Sequence, residues 1–146
     1  MAGIVLICYD GSAGARRAIE VASPLLHGRR ALVVSVWSSP IGMAVHGMGA
    51  AEAEYEQAQE RHAVATAGEG CELARAAGLD AEPLVVRGVP EDGTAHTILD
   101  AADANDADLI VLGARGLSGV RSLILGSVSH GVVQHARRPV LVIPDA

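Results

Sequence analysis

The chain has 146 residues, half of them apolar, and a formal net charge of −6 at pH 7. That length suits one domain, residues 1–146, with a core large enough to fold without disulfide staples, and the acidic balance argues against sequence-independent DNA binding, which relies on basic patches. Phe is absent and Trp occurs once, which argues equally against a stacking platform for single-stranded nucleic acid, and all eleven basic residues are Arg, so chemistry on a lysine amine is excluded.

In chain order, "MAGIVLICYD" carries no basic region before its apolar run and no cleavage site, so no secretory signal is expected. Ile4–Cys8 reads as a first strand, followed by Asp10-Gly11-Ser12. Ser12 is placed to cap a helix whose Ala15, Ala18, Ile19, Ala22, Leu25 and Leu26 form one apolar stripe. Pro24 either kinks that helix or ends it early. Ala31–Trp37 is the second strand. Ser38–Gly49 is irregular, either a mobile loop near a ligand edge or a plain surface loop. A long helix spans about Ala50–Ala77, weakened near Gly68 and Gly70, with Glu52, Glu54, Glu56 and Glu60 on a solvated face. The third strand, Ala81–Val86, contains Pro83 and so belongs at a sheet edge. Thr94 is a candidate cap for a helix with Ala95, Ile98, Leu99 and Ala102 on one face. Asp108–Leu112 is the fourth strand. Ser127–Arg137 forms the last helix, with Val128, Val132, Val133 and Ala136 inward, and Pro139–Ile143 is the fifth strand.

Strands alternating with helices, and rich in Val, Ile and Leu with little alternation, imply an α/β fold: one doubly wound domain with a five-stranded parallel sheet and helices on both faces. Cys8 and Cys71 read as small buried hydrophobes in a reducing compartment. No apolar run approaches the ~20 residues of a membrane span. A soluble, cytoplasmic protein with no membrane and no nucleic-acid partner is expected.

Open α/β sheets bind ligands beyond the carboxyl ends of their strands, where strand order reverses. The loop after strand four, "GARGLSGVRSLILGSVS" (residues 113–129), concentrates Gly113, Gly116, Gly119 and Gly126 with Arg115 and Arg121. Glycine lets backbone N–H groups approach an anion closely, and the start of the last helix adds free N–H groups and partial positive charge. An Arg fork suits phosphate oxygens. The loop thus reads as an anion cradle built on backbone, although a glycine-rich turn, a Ser cap and solvent-facing arginines would look the same. Asp10 suits a ribose hydroxyl or an adenine-side contact better than a phosphate; an Asx turn is the competing reading. Both sites share one ligand most easily if strands one and four are neighbours, as in order 3-2-1-4-5, which also leaves the Pro83 strand at an edge.

Several alternatives fail on named residues. A Walker A loop needs a Lys, GxxxxGK[ST], and the chain after strand one reads "DGSAGA" where a Rossmann turn needs GxGxxG. "RGVP" and "IPDA" follow strands three and five, where a phosphoreceiver domain needs an Asp and a Lys. No GxSxG elbow is present. His27, His46, His62, His96, His130 and His135 show no paired ligand spacing and read as solvated or capping residues.

The stretch "GARGLSGVRSLILGS" fits G-x2-G-x9-G-[S/T] through Gly113, Gly116, Gly126 and Ser127. With "YDGS", "RGVP", "ADLIVLGARG" and "SVSHGVVQHARRPVLVI", it resembles the universal stress protein family over the whole chain, and specifically the subgroup whose motif binds ATP. The resemblance implies sheet order 3-2-1-4-5 and an adenine-nucleotide ligand, ATP with or without Mg, in a stress-response or signalling module that controls an unidentified protein partner. It places Asp10 at the ribose or adenine with the backbone near Cys8 beside it, and counts Ser12 among the nucleotide-binding residues. It places the main chain of Val36 at adenine, and Gly113, Ala114, Arg115, Gly116, Gly126, Ser127, Val128 and Ser129 around the phosphates. It also implies a homodimer through the last strand, Val140, Leu141, Val142 and Ile143, and an apolar edge strand invites such a partner. No general base stands out, so hydrolysis is expected to be slow. The alternatives are a slow ATPase, an enzyme that autophosphorylates at Ser127 or Ser129, and a sensor of AMP or cyclic AMP.

Overall fold

Five strands pair in parallel in the order β3-β2-β1-β4-β5 in the computed structural model, which describes residues 3–39, 49–89, 91–116 and 125–146. They are β1 (Ile4–Cys8), β2 (Arg30–Trp37), β3 (Asp80–Arg87), β4 (Ala107–Gly113) and β5 (Val140–Ile143). Four α-helices connect them among the described residues: α1 (Ala13–Ala22), α2 (Ala50–Ala76), α3 (Thr94–Ala104) and α4 (Ser127–His135). Residues 40–48 of the expected irregular stretch, together with Gly119 and Arg121, lie outside the described residues.

The strands are apolar on both sides because both faces are covered. Val5 and Ile7 point to one side, where they meet Ala15, Ala18 and Ile19 of α1 and Cys71 and Ala74 of α2. Leu6 points to the other, with Ile110 and Leu112, against Ile98 and Ala102 of α3 and Val132 of α4. Period-two geometry puts successive side chains on opposite faces, so uninterrupted apolar runs are what this layering demands. Pro83 falls on edge strand β3, opposite Val33, where a missing N–H costs the sheet little.

Local chemistry explains the helix boundaries. Ser12 caps α1, its hydroxyl accepting the Ala15 N–H at 3.1 Å. The α-helix stops at Ala22 and a 3-10 turn, Ser23–Leu26, follows with Pro24 in its first turn. That tightening rotates Leu25 off the stripe, leaving it 71% exposed while Leu26 is buried. Leu25 is therefore not a core residue. Nor is Thr94 a cap: Gly93 occupies that position at φ +83. Helix α4 ends at His135, and Val133 faces solvent while Val132 is buried, because α3 covers only one side of so short a helix. Helix α2 runs without a break through Gly68 and Gly70. Gly70 is there because the Tyr9 ring passes under it: a β-carbon at Gly70 would stand 2.7 Å from Tyr9 Cγ and 2.8 Å from Val33 Cγ1.

Candidate functional site

Strands β1 and β4 lie side by side at the switch point, and their connections leave to opposite faces of the sheet. A cavity of about 410 Å³ opens at their carboxyl ends. Cys8, Asp10 and Ser12 border it from β1 and the turn into α1, and Val36 borders it from the end of β2. Gly113, Arg115 and Gly116 border it from the end of β4, and Gly126, Ser127 and Val128 from the start of α4. Four segments far apart in sequence thus converge on one volume.

The turn after β1 is an Asx turn and a cavity wall at once. Asp10 Oδ1 accepts the Ser12 N–H at 2.9 Å, with Gly11 at φ +83. Asp10 Oδ2 faces the other way, toward Gly116. A β-carbon on Gly116 would lie 2.6 Å from that oxygen, so glycine keeps the gap between the β1 turn and the β4 loop open. A second close approach seats α1 on the end of β4. A β-carbon on Gly14 would meet the Arg115 carbonyl at 2.6 Å, and one on Gly113 would meet the Gly14 carbonyl at 2.8 Å.

Ala114 and Ser129 do not border the cavity; they brace it from behind. Ala114 is buried, and its N–H donates to the Ile143 carbonyl of β5 at 2.9 Å. Its carbonyl accepts the Gly126 N–H at 2.7 Å and the hydroxyl of buried Ser129. The Gly126 N–H is thereby turned toward Ala114, and Ser127 and Val128 follow it at the cavity wall as the first residues of α4. The first turn of a helix leaves its N–H groups without intrahelical acceptors and carries partial positive charge. Among the described residues no side chain caps that turn, and no acidic residue lies in it. The Arg115 guanidinium forms an ion pair with Asp145 near the C-terminus, so its charge is partly committed within the chain.

Other residues of the site were not singled out from the sequence. Tyr9 borders the cavity, and its hydroxyl donates to Glu69 Oε1 at 2.5 Å, which also accepts from Arg16 at 2.6 Å. Burial, reinforced by the Glu69 hydrogen bond, pushes the Tyr9 phenol up to about 12. Burial pushes the Cys8 thiol up to about 12 as well, with the Asp10 carboxylate adding to it. Trp37 borders the cavity at the end of β2, with the Arg87 guanidinium 5.2 Å from its ring centroid and Glu56 paired to Arg87 at 2.7 Å. His62 is exposed, as expected, yet its helix face borders the cavity with Gln59, Ala63 and Thr66. Their spacing marks one face of α2, but spacing does not reveal what that face looks onto.

Among the described residues, no group of three or more His, Cys, Asp or Glu side chains is arranged to hold a metal ion. No described helix is long and apolar enough to cross a membrane.

The chain is similar to known proteins along its length. The family model described as Universal stress protein family matches residues 1–144. A universal stress protein of Thermus aquaticus is 38% identical over 148 residues, covering 95% of this chain and 96% of that one. Among solved structures, the universal stress protein from Archaeoglobus fulgidus in complex with dAMP is 26% identical, with a TM-score of 0.62 and 98% of each chain covered. The fold is also shared with MJ0577 of Methanocaldococcus jannaschii, at 21% identity and a TM-score of 0.82, with 100% of this chain and 98% of that one covered. A match from end to end in sequence and in fold leads to one conclusion: this chain belongs to the universal stress protein family.

Proposed function

We propose that the chain is an adenine-nucleotide-binding module of the ATP-binding subgroup, and that the cavity at the β1/β4 switch point is its nucleotide site. The observation that carries this reading is the juxtaposition of Asp10 with Gly116 in one cavity that the start of α4 also enters. A helix start that no described side chain caps and that is free of acidic residues suits a phosphate, and a carboxylate across from it suits a sugar hydroxyl. The residues present fit such a ligand: a side chain at Gly116 would fill the space between the two walls. The volume falls within the ~300–1,000 Å³ of ordinary ligand pockets. The dAMP complex of the similar Archaeoglobus fulgidus protein supports an adenine nucleotide.

In this reading the main chain of Gly113, Gly116, Ser127 and Val128 receives the phosphates of ATP, helped by Arg115. Asp10 accepts from the sugar, and Val36 meets the base through its main chain. Ala114 and Ser129 hold the cradle in shape and do not touch the ligand. A Mg ion would enter with the phosphates, since the described residues assemble no carboxylate cluster for it. The module acts as a cytoplasmic stress-response switch whose bound nucleotide alters a partner surface. Strand β5, at the sheet edge, pairs with a second copy to form a homodimer.

The test is the nucleotide content of the purified protein, read by chromatography of a denatured sample, followed by calorimetry with ATP and AMP. Bound adenine nucleotide, or saturable binding of either, is the expected result. Absence of both overturns the reading.

A further inference from the structure

Helix α2 is longer than the sheet it covers. Its buried residues are Ala63, Ala67, Gly70, Cys71 and Ala74, all in its second half. The turns before Ala63 stand clear of the core, and where they leave it Gln59, His62 and Thr66 face the cavity. Thr66 marks the level: its γ-methyl is 3.9 Å from where a β-carbon on Gly11 would stand, next to Asp10. Its hydroxyl donates to the His62 carbonyl at 2.9 Å and is spent as a donor. Gln59 and His62, above it, make no side-chain hydrogen bond to a described residue. An amide can both donate and accept hydrogen bonds, and so can an imidazole. A sugar hydroxyl, which also donates and accepts, matches both without bringing charge into the cavity.

The structure assigns a specificity-determining role to this wall: we propose that Gln59 and His62 hydrogen-bond the sugar of the nucleotide from the α2 side and select ribonucleotides over their deoxy analogues. The inference rests on the nucleotide reading above. The phosphates belong to the glycine cradle and the start of α4, and the base to Val36 with the apolar Ile98 and Leu112. The span left for the α2 wall is the sugar.

The test is calorimetry of the full chain with ATP, 2′-deoxy-ATP and 3′-deoxy-ATP, repeated on Gln59→Ala and His62→Ala. Both positions lie on the outward part of α2, so both variants should keep the wild-type melting temperature. Wild-type protein should lose about 3- to 10-fold in affinity for one deoxy analogue, the range of a single neutral hydrogen bond. At least one variant should lose the same factor for ATP and none for that analogue, so that discrimination vanishes. Equal wild-type affinity for all three nucleotides overturns the inference and leaves the nucleotide site standing. So does full discrimination in both variants. Absence of any nucleotide binding by the wild type removes the site and this inference together.

Discussion

The Asp10 carboxylate spans the switch point to Gly116, its Oδ2 2.6 Å from where a β-carbon on that glycine would stand. One residue opens the turn after β1 and the other lies in the loop after β4. Only the pairing of β1 with β4 brings them together. Because Oδ1 is held by the Ser12 N–H at 2.9 Å, the carboxylate cannot swing away without breaking that turn.

Gly116→Ala should therefore weaken ATP binding by at least about tenfold, since the new methyl displaces either Asp10 or the loop. Asp10→Ala should weaken it too, by removing the acceptor. Gly116 does not have a positive φ, so the melting temperature of Gly116→Ala should stay within a few degrees of wild type. Calorimetry beside thermal melts checks both; unaltered affinity in the two variants would end the case for this cavity.

Arg115 is shared between the cavity and Asp145. Asp145→Asn should strengthen ATP binding severalfold at low salt, because a competing carboxylate is gone. Arg115→Ala should weaken binding and flatten its salt dependence. Titrations at two ionic strengths read out both effects, and an Asp145→Asn affinity equal to wild type would show that the ion pair does not compete with the ligand.

Two glycines in α2 should respond with opposite sign. A β-carbon on Gly68 has nothing within 4 Å, so Gly68→Ala should stabilise the protein by about 0.5–1 kcal/mol through helix propensity. One on Gly70 meets the Tyr9 ring and Val33 in the packed core, so Gly70→Ala should destabilise by about 1–3 kcal/mol. Urea denaturation of the pair is the check, and the same sign in both would refute the packing described for Tyr9.

Alkaline pH should unfold the protein through Tyr9 and Cys8. Ordinary tyrosine and cysteine lose their protons near 10 and 9, whereas both groups here hold theirs to about 12. The unfolded chain thus releases protons first, so their contribution is complete below pH 9 and is lost as pH rises toward 12. Denaturation at several pH values should show that fall, less steep in Tyr9→Phe and Cys8→Ala. Near neutral pH the half-buried Cys8 thiol should react slowly with iodoacetamide, since the thiolate is the nucleophile and the raised pKa keeps it protonated; rapid alkylation of the native protein would contradict that raised pKa.

The β5 edge offers a test of the proposed dimer. The carbonyls of Pro139 and Ile143 accept from β4, at Ile110 and Ala114, so by alternation Val140 and Val142 turn their backbone groups to the open edge. Val142→Pro removes an outward N–H while sparing the bonds to β4. Ultracentrifugation should show a dimer for wild type and a folded monomer for the variant; a monomeric wild type would discard the pairing.

Much of this fold was legible in the residues themselves. The five strands lie within a residue or two of their expected bounds, because a strand covered on both faces must be apolar throughout, and that need is written locally. Pro83 marked an edge, and the demand that two loops share one ligand pointed to order 3-2-1-4-5. Leu25 and Val133 misled because periodicity assumes a helix that continues and a partner that covers its whole stripe. Here the helix tightened at Leu25, and the partner was too narrow at Val133.

The chain alone determined which segments become strands and helices, and where glycine and charge gather, because backbone preference and burial pattern act over a few neighbouring residues. It did not determine that Gly14 admits the Arg115 carbonyl, that Ser129 braces Ala114 from behind, that Asp145 holds Arg115, or that one face of α2 borders the cavity. Those relations join residues distant in sequence. They depend on how helices settle against a twisted sheet to within an ångström, and only packing in three dimensions decides that.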